Sequence, residues 1–401
     1  MKLRSKETYW LLMNGLINTY PSLQKNITCD VLIIGGGITG ALMAYQLSGE
    51  GYKTVVVDKR DVALGSTSAT TAMIQYEIDE PLFSLIKKVG ENAAIDSYQG
   101  GVAAIDKLEK IIKTIKADCG FERKKSLFIA SSSPDSKWLQ EEYTCRKANE
   151  IDVSWLNQSQ LKSKFGVAGE GAILSTAGAS LDAYRLTHAL LSYCVMHHGL
   201  KIYDHTEAES INYDAKNCIV LTDDKNIIKC KHVVHASGYE SQSVVKSKIV
   251  KLISTYALVS EPVQKLPISL KNTLLWNTED PYLYLRSTRD NRILVGGGDE
   301  NFKNPLRRDN LIDKKQKFLM EKAQSLIPAL KLIPDFTWAG TFGVTKDSLP
   351  YIGSHPDFPN SYFILGFGGN GITFSVMGMS IISDALAGKH NPFLEYFKFN
   401  R

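Results

Sequence analysis

Residues 30–40 read DVLIIGGGITG, an apolar strand running straight into a glycine turn. A strand, a tight turn and a helix at this spacing open a doubly wound α/β domain built on a parallel sheet. Gly35 permits the turn at the strand end, Gly37 lets the backbone come close to phosphates, and Gly40 lets the next helix pack on the strand. Ile38 and Thr39 lie between them, so the segment is the expected seat of a pyrophosphate. The helix from Ala41 onward points its free amides and positive dipole end at that anion. A second apolar strand, Thr54-Val55-Val56-Val57, ends in Asp58, 18 residues after Gly40. There a carboxylate accepts the ribose hydroxyls of an adenosine, and Lys59 follows it. The chain is expected to bind a dinucleotide.

The remaining bulk features exclude other classes. A net charge of +5 spread over 401 residues, with short basic clusters mixed among acids, gives no nucleic-acid surface. Six scattered cysteines contain no CxxC pair, and the eight histidines show no HxxxH or HExxH spacing. A disulfide framework and a metal site are therefore not expected. Residues 9–13 are apolar but too short for a signal peptide, and are read as a lead-in helix. No stretch approaches the roughly 20 apolar residues of a membrane span, and the expected location is cytoplasmic.

After Asp58 comes GSTSATTA at 65–72, a loop with almost no bulk, suited to close approach of a flat ligand and carrying hydroxyls that can bond phosphate. Helices are expected over 81–116, 136–150, 183–198, 311–326 and 374–386. Strands are expected at 126–130 and at several places between 201 and 238, the last ending VVHASG. From 253 to 339, turn signals separate short strands, including 282–285 and 293–296, as in a mainly antiparallel sheet. The expected division is a discontinuous dinucleotide domain (1–90, 177–252 and 340–401) and a substrate domain (91–176 and 253–339).

Four segments in order (the 35–40 turn, the 65–72 loop, VVHASG at 233–238 and GFGGNGIT at 366–373) resemble the FAD-dependent family of D-amino-acid oxidase, glycine oxidase and sarcosine oxidase. WAGT at 338–341, DSLPYIG at 347–353 and YPSL at 20–23 look most like its gamma-glutamylputrescine oxidoreductase branch. The resemblance implies a Rossmann-type FAD domain interleaved with a substrate domain whose sheet roofs the flavin. It implies that Gly35, Gly37 and Gly40 hold the pyrophosphate and Asp58 the ribose. Ser66, Thr67 and Ser68 would line the phosphates and ribityl chain, with Ala72 closing their loop. Ala208 would meet the adenine, and Ala236 and Gly238 would pack on the FAD. Gly369, Asn370, Gly371, Ile372 and Thr373 would lie at the pyrimidine edge, where a helix N-terminus stabilises the charge of reduced flavin. The chain departs from the family pattern in three places. Phe342 stands where the amino-acid oxidases place a carboxylate-binding arginine, Asn370 stands where many relatives have histidine, and the oxygen-activating lysine of sarcosine oxidases has no counterpart. The electron acceptor, oxygen or another carrier, stays open.

The reaction implied is transfer of a hydride equivalent from a C–H beside nitrogen in a small-molecule amine to flavin N5. Tyr284 and Arg286, at i and i+2 of one strand, share a face. They are the candidate catalytic and substrate-binding residues, with Asn370 facing the flavin. Arg286 is a candidate clamp for a remote carboxylate or else a structural ion-pair partner. Trp338, Tyr256 and Gln75 are further wall candidates that a plain core would also explain. A dehydrogenase of CH–OH substrates and a non-catalytic electron relay remain as alternatives.

Overall fold

The computed structural model describes residues 1–214, 216–245 and 249–401. Five parallel strands form the middle of the first sheet, in the order Lys201–Tyr203, Thr54–Val57, Ile27–Ile34, Ile227–His235 and Phe358–Leu365. Both faces of the central strands are covered, which is why they read as unbroken apolar runs. Val31, Ile33 and Val56 face helices Ile38–Gly49 and Ala183–His198. Leu32, Val55 and Val57 pack on the opposite face with Ile228 of the parallel strand Ile227–His235 and Val220 of its antiparallel neighbour Cys218–Thr222.

The second sheet has eight strands, ordered Pro334–Val344, Lys251–Ser260, Ile293–Glu300, Leu283–Ser287, Thr273–Asn277, Lys125–Ala130, Gly171–Ser175 and Val153–Leu156. Its pairings are antiparallel except that of Thr273–Asn277 with Lys125–Ala130. Helix Ile312–Leu326 covers one face, burying Leu319 and Ala323 against Leu258 and Val295. The other face turns toward the first sheet, and a large cavity lies between the two.

Several elements differ from expectation for local reasons. The helical stretch expected over 81–116 is two helices, Leu82–Val89 and Glu91–Ile115, broken at Gly90 with φ 88°. The second of these packs on helix Gly371–Leu386, where Gly100 leaves room for Met377 and Phe393. Strand Pro334–Val344 runs through the expected boundary at 339/340 without a break. The helix expected at 374–386 begins at Gly371, three residues earlier, because glycine is a poor helix signal in sequence. Asn157 N-caps helix Gln158–Phe165 through a reciprocal capping box with Gln160, an element missing from the sequence reading.

One buried ionic group ties four elements together. Arg146, on helix Ser133–Ala148, donates from Nε to Glu142 Oε1 at 2.6 Å and from Nη1 to the Tyr76 hydroxyl at 3.3 Å. Its guanidinium lies over the rings of Tyr76 and Tyr98 and 3.9 Å from Glu77 Oε1. Glu142 in turn accepts the Leu82 and Phe83 amides at 2.9 and 3.1 Å, capping the helix that begins there. Arg146 and Glu142 are fully buried, so removing one charge strands the others in a low dielectric. Replacing Arg146 with Met should therefore destabilise the protein by about 3–5 kcal/mol in urea unfolding. An effect below about 1 kcal/mol would mean that the carboxylates are already neutral.

Candidate active site

The glycine turn is built by backbone contact. Gly35 has φ 110°, and a Cβ there would lie 2.7 Å from the Ala236 carbonyl oxygen. A Cβ on Gly40 would sit 1.8 Å from the Gly35 oxygen, so any side chain would push the helix off the strand. Helix Ile38–Gly49 has Gly37 as its N-cap and no side-chain cap, so its first turn opens into the cavity at Gly37, Ile38 and Thr39. The Ile38 amide donates to Thr67 Oγ1 at 3.0 Å, which fixes the small-residue loop against the helix start. Ser66 and Thr67 line the cavity. Ser68 does not, because its hydroxyl turns back to the Gly65 carbonyl at 3.1 Å. Ala72 is also buried away from the cavity and shapes the loop through a positive φ of 50°.

Asp58 stands at one end of the cavity. Its Oδ2 accepts the Gly36 amide at 2.8 Å and its Oδ1 the Arg60 amide at 2.9 Å, while burial pushes its carboxyl above the ordinary range. Each oxygen keeps a lone pair for a ribose hydroxyl. Ala208, Ala236 and Gly238 line the same end. Lys59 is there too, ion-paired to Glu240 at 3.1 Å and Glu207 at 3.4 Å.

The C-terminal loop closes the middle of the cavity. Gly369, Asn370, Gly371 and Ile372 line it, and helix Gly371–Leu386 opens toward it with no side-chain cap. The Asn370 side chain does not face the cavity as a free reactive amide. Its Nδ2 donates to the Glu77 carbonyl at 2.8 Å and the Gln75 carbonyl at 3.2 Å. Thr373 Oγ1 donates to the same Gln75 carbonyl at 2.8 Å and is not at the cavity wall. Both side chains hold segment 75–79 against the loop, so the Asn370 amide nitrogen expected to face the flavin is bonded to backbone carbonyls instead.

The cavity holds about 2250 Å³ of empty space, its mouth included. Two uncapped helix N-termini open into it, one at the glycine turn and one at the C-terminal loop. That pairing fits FAD: one helix end would meet the pyrophosphate, the other a ring that gains negative charge on reduction. Residues 30–383 match the DAO family model, described as FAD dependent oxidoreductase. The chain belongs to this family. It is 23% identical to gamma-glutamylputrescine oxidoreductase of Escherichia coli, over 93% of this chain and 87% of that protein. Its fold matches glycine oxidase from Geobacillus kaustophilus with TM-score 0.73 at 22% identity, covering 91% of this chain and 96% of the other. It matches L-proline dehydrogenase from P. horikoshii with TM-score 0.76 at 19% identity, covering 94% and 97%. The protein is an FAD-dependent oxidoreductase with the family's α/β fold.

Beyond the C-terminal loop, the DAO-family cavity widens into a chamber under the second sheet. Tyr284 lines it, lying flat on Gly296, where a Cβ would fall 2.2 Å from the ring. Trp276 lines it too, stacked on Phe128 at 3.6 Å and donating from Nε1 to Ser126 Oγ at 3.2 Å. Trp338 walls the flank, its Nε1 bonded to the Ala69 carbonyl at 2.8 Å, and Phe342 lines the cavity as expected from its place in the strand. Tyr256 also belongs to the cavity lining, with its ring packed in the core under helix Ile312–Leu326 and Lys315 over it.

Arg286 is not in the chamber. Its guanidinium donates to the Thr71 carbonyl at 2.6 Å and the Leu181 carbonyl at 3.0 Å, and packs over Trp10. Only 3% exposed, it braces the loop before Ala72 and has no face left for a substrate carboxylate. The shared face of Tyr284 and Arg286 was legible; their sideways displacement along the strand was not.

The sequence reading missed the acids of segment 75–79. Gln75, Glu77 and Asp79 line the chamber, while Tyr76 and Ile78 are buried in the core behind them. The signal was there as a polar/apolar alternation after Ile74, the period of an extended segment with one wet face. Replacing Gly37 with Val should give folded protein without flavin. Its Cβ position is 3.0 Å from Thr67 Oγ1, which can turn aside, whereas a phosphate held at the turn cannot. Normal visible flavin absorbance at wild-type stoichiometry would refute this placement of the pyrophosphate.

Proposed function

We propose that the protein oxidises the CH–NH bond of an amine that carries no carboxylate on the reacting carbon, giving an imine that water hydrolyses. The observation that carries this reading is the charge of the chamber. Among the described lining residues, lysine and arginine occur only as Lys59 and Arg60, both at the adenosine end and both paired with Glu240. The chamber end offers Glu77, Asp79 and aromatic rings. A buried arginine that remains near, Arg308, turns away to Thr341 Oγ1, the Lys2 carbonyl and Asp309. A carboxylate or phosphate moved there would lose its hydration without gaining a charged partner. The gamma-glutamylputrescine oxidoreductase relative supports an amine as the oxidised group.

Bound FAD supplies the hydride acceptor at N5. The chain's own residues do the rest. Tyr284 and Trp276 exclude water and orient the substrate's carbon chain across the chamber. The amides at Gly371 and Ile372, at a helix N-terminus, stabilise negative charge as it arrives at the ring edge. A substrate entering as the neutral amine needs no strong base, consistent with a chamber that holds no histidine dyad among its described residues. A chamber continuing past the flavin loop also speaks against a relay with no substrate. Anaerobic titration should bleach the visible flavin band with primary or secondary amines and leave it unchanged with D-amino acids and 2-hydroxy acids. Bleaching by a hydroxy acid, with amines inert, would replace this reading by CH–OH oxidation.

A further inference from the structure

The chamber holds more negative charge than its surroundings balance. Asp79 is enclosed by protein but open to the chamber. Its Oδ2 accepts the Gly369 amide at 2.9 Å, the Tyr282 hydroxyl lies beside it, and burial raises its carboxyl above the ordinary range. Glu77 is 4% exposed and lines the same chamber, and its Oε2 has no hydrogen-bond partner. A third acid, Asp299, lies just behind the lining in the sheet above, at the end of strand Ile293–Glu300. Its Oδ1 is buried without a partner, Thr255 and Tyr284 lie beside it, and burial pushes its carboxyl up to about 7.

The neighbouring cations are shared with other acids. Arg146 is bonded to Glu142 at 2.6 Å and pairs only at 3.9 Å with Glu77 Oε1, which leaves Glu77 Oε2 without a partner. Lys315 is bonded to Glu300 at 2.7 Å behind the sheet. Lys124 is bonded to Glu122 and to the Lys271 carbonyl. Carboxylates left like this in a low dielectric need a counter-charge or must hold their protons.

We propose that Asp79, Glu77 and Asp299 form a subsite for an ammonium group remote from the carbon that is oxidised, so that the substrate is a diamine or longer polyamine. This rests on the amine reading above and narrows its substrate class. The aliphatic chain of such a molecule lies between Tyr284 and Trp276, and its far ammonium supplies the charge that the protein omits. Asp79, open to the chamber, makes the direct contact. Glu77, with its free oxygen, and Asp299, behind Thr255 and Tyr284 of the cavity wall, complete the field.

The test uses the FAD-loaded protein and two probes, 1,4-diaminobutane and 1-aminobutane, which differ by one ammonium. Anaerobic reduction of the flavin band and the steady-state KM are read for wild type, Asp79→Asn and Asp299→Asn. The diamine is expected to have a KM at least 30-fold below that of the monoamine. Each variant should raise the diamine KM 10-fold or more, leave the monoamine within 2-fold, and change kcat little. Asp299→Asn keeps the proposal open to refutation should Asp79→Asn fail to fold. Equal KM values for the two amines in wild type would overturn the subsite and leave amine oxidation standing. Asp79→Asn that folds but purifies without flavin would assign that carboxylate to the cofactor and overturn its substrate role. If neither amine reduces the flavin and a hydroxy acid does, both the subsite and the amine reading fall.

Discussion

A close backbone approach between one helix and one strand sets much of what lies downstream of it. Helix Ile38–Gly49 meets strand Ile27–Ile34 across Gly40 and Gly35, where a single methyl group would overlap a carbonyl oxygen. That contact aims the helix's uncapped first turn along the sheet edge and into the cavity. It also brings Thr39 within 2.8 Å of Ser375, so this helix and helix Gly371–Leu386 are bonded side by side. The two helix ends that face the cofactor are thus parts of one rigid block, and their mutual placement follows from packing.

The second joint is polar. Asn370 and Thr373 together place three hydrogen bonds on the Gln75 and Glu77 carbonyls. Segment 75–79 has no sheet partner of its own, so these bonds satisfy backbone groups that burial would otherwise leave costly. One consequence is chemical. The alternation of the segment is locked, with Tyr76 and Ile78 in the core and the side chains of Glu77 and Asp79 in the chamber. An asparagine in place of the histidine common in relatives is suited to this job, since its amide can donate two hydrogens at once.

Sequence carried the cofactor half of this protein much further than the substrate half. The turn at 35–40, Asp58 and the C-terminal loop are local signals, each readable from a dozen residues, and the structure brings them to one cavity. The chamber is assembled from segments nearly 300 residues apart, as in Asp79 with Gly369, and no local pattern announces such a meeting. Arg286 failed for a related reason: strand periodicity gives the face of a side chain but not what sits across from it. Asn370 lies at the cavity as expected, but its amide donates to the Gln75 and Glu77 carbonyls, because sequence shows a donor group without its acceptors.

The charge of the chamber bears on the reduction itself. Accepting a hydride equivalent leaves negative charge near the Gly371 helix end, and a helix N-terminus counts for about half an elementary positive charge. Buried carboxylates oppose that negative charge unless they hold their protons. Under the subsite proposed above, an ammonium bound beside Asp79 would offset them once the substrate is in place. The acids would then select a cationic chain. A neutral amine of the same length would fill the space between Tyr284 and Trp276 without supplying that charge. Discrimination between the two is therefore a matter of uncompensated charge more than of shape.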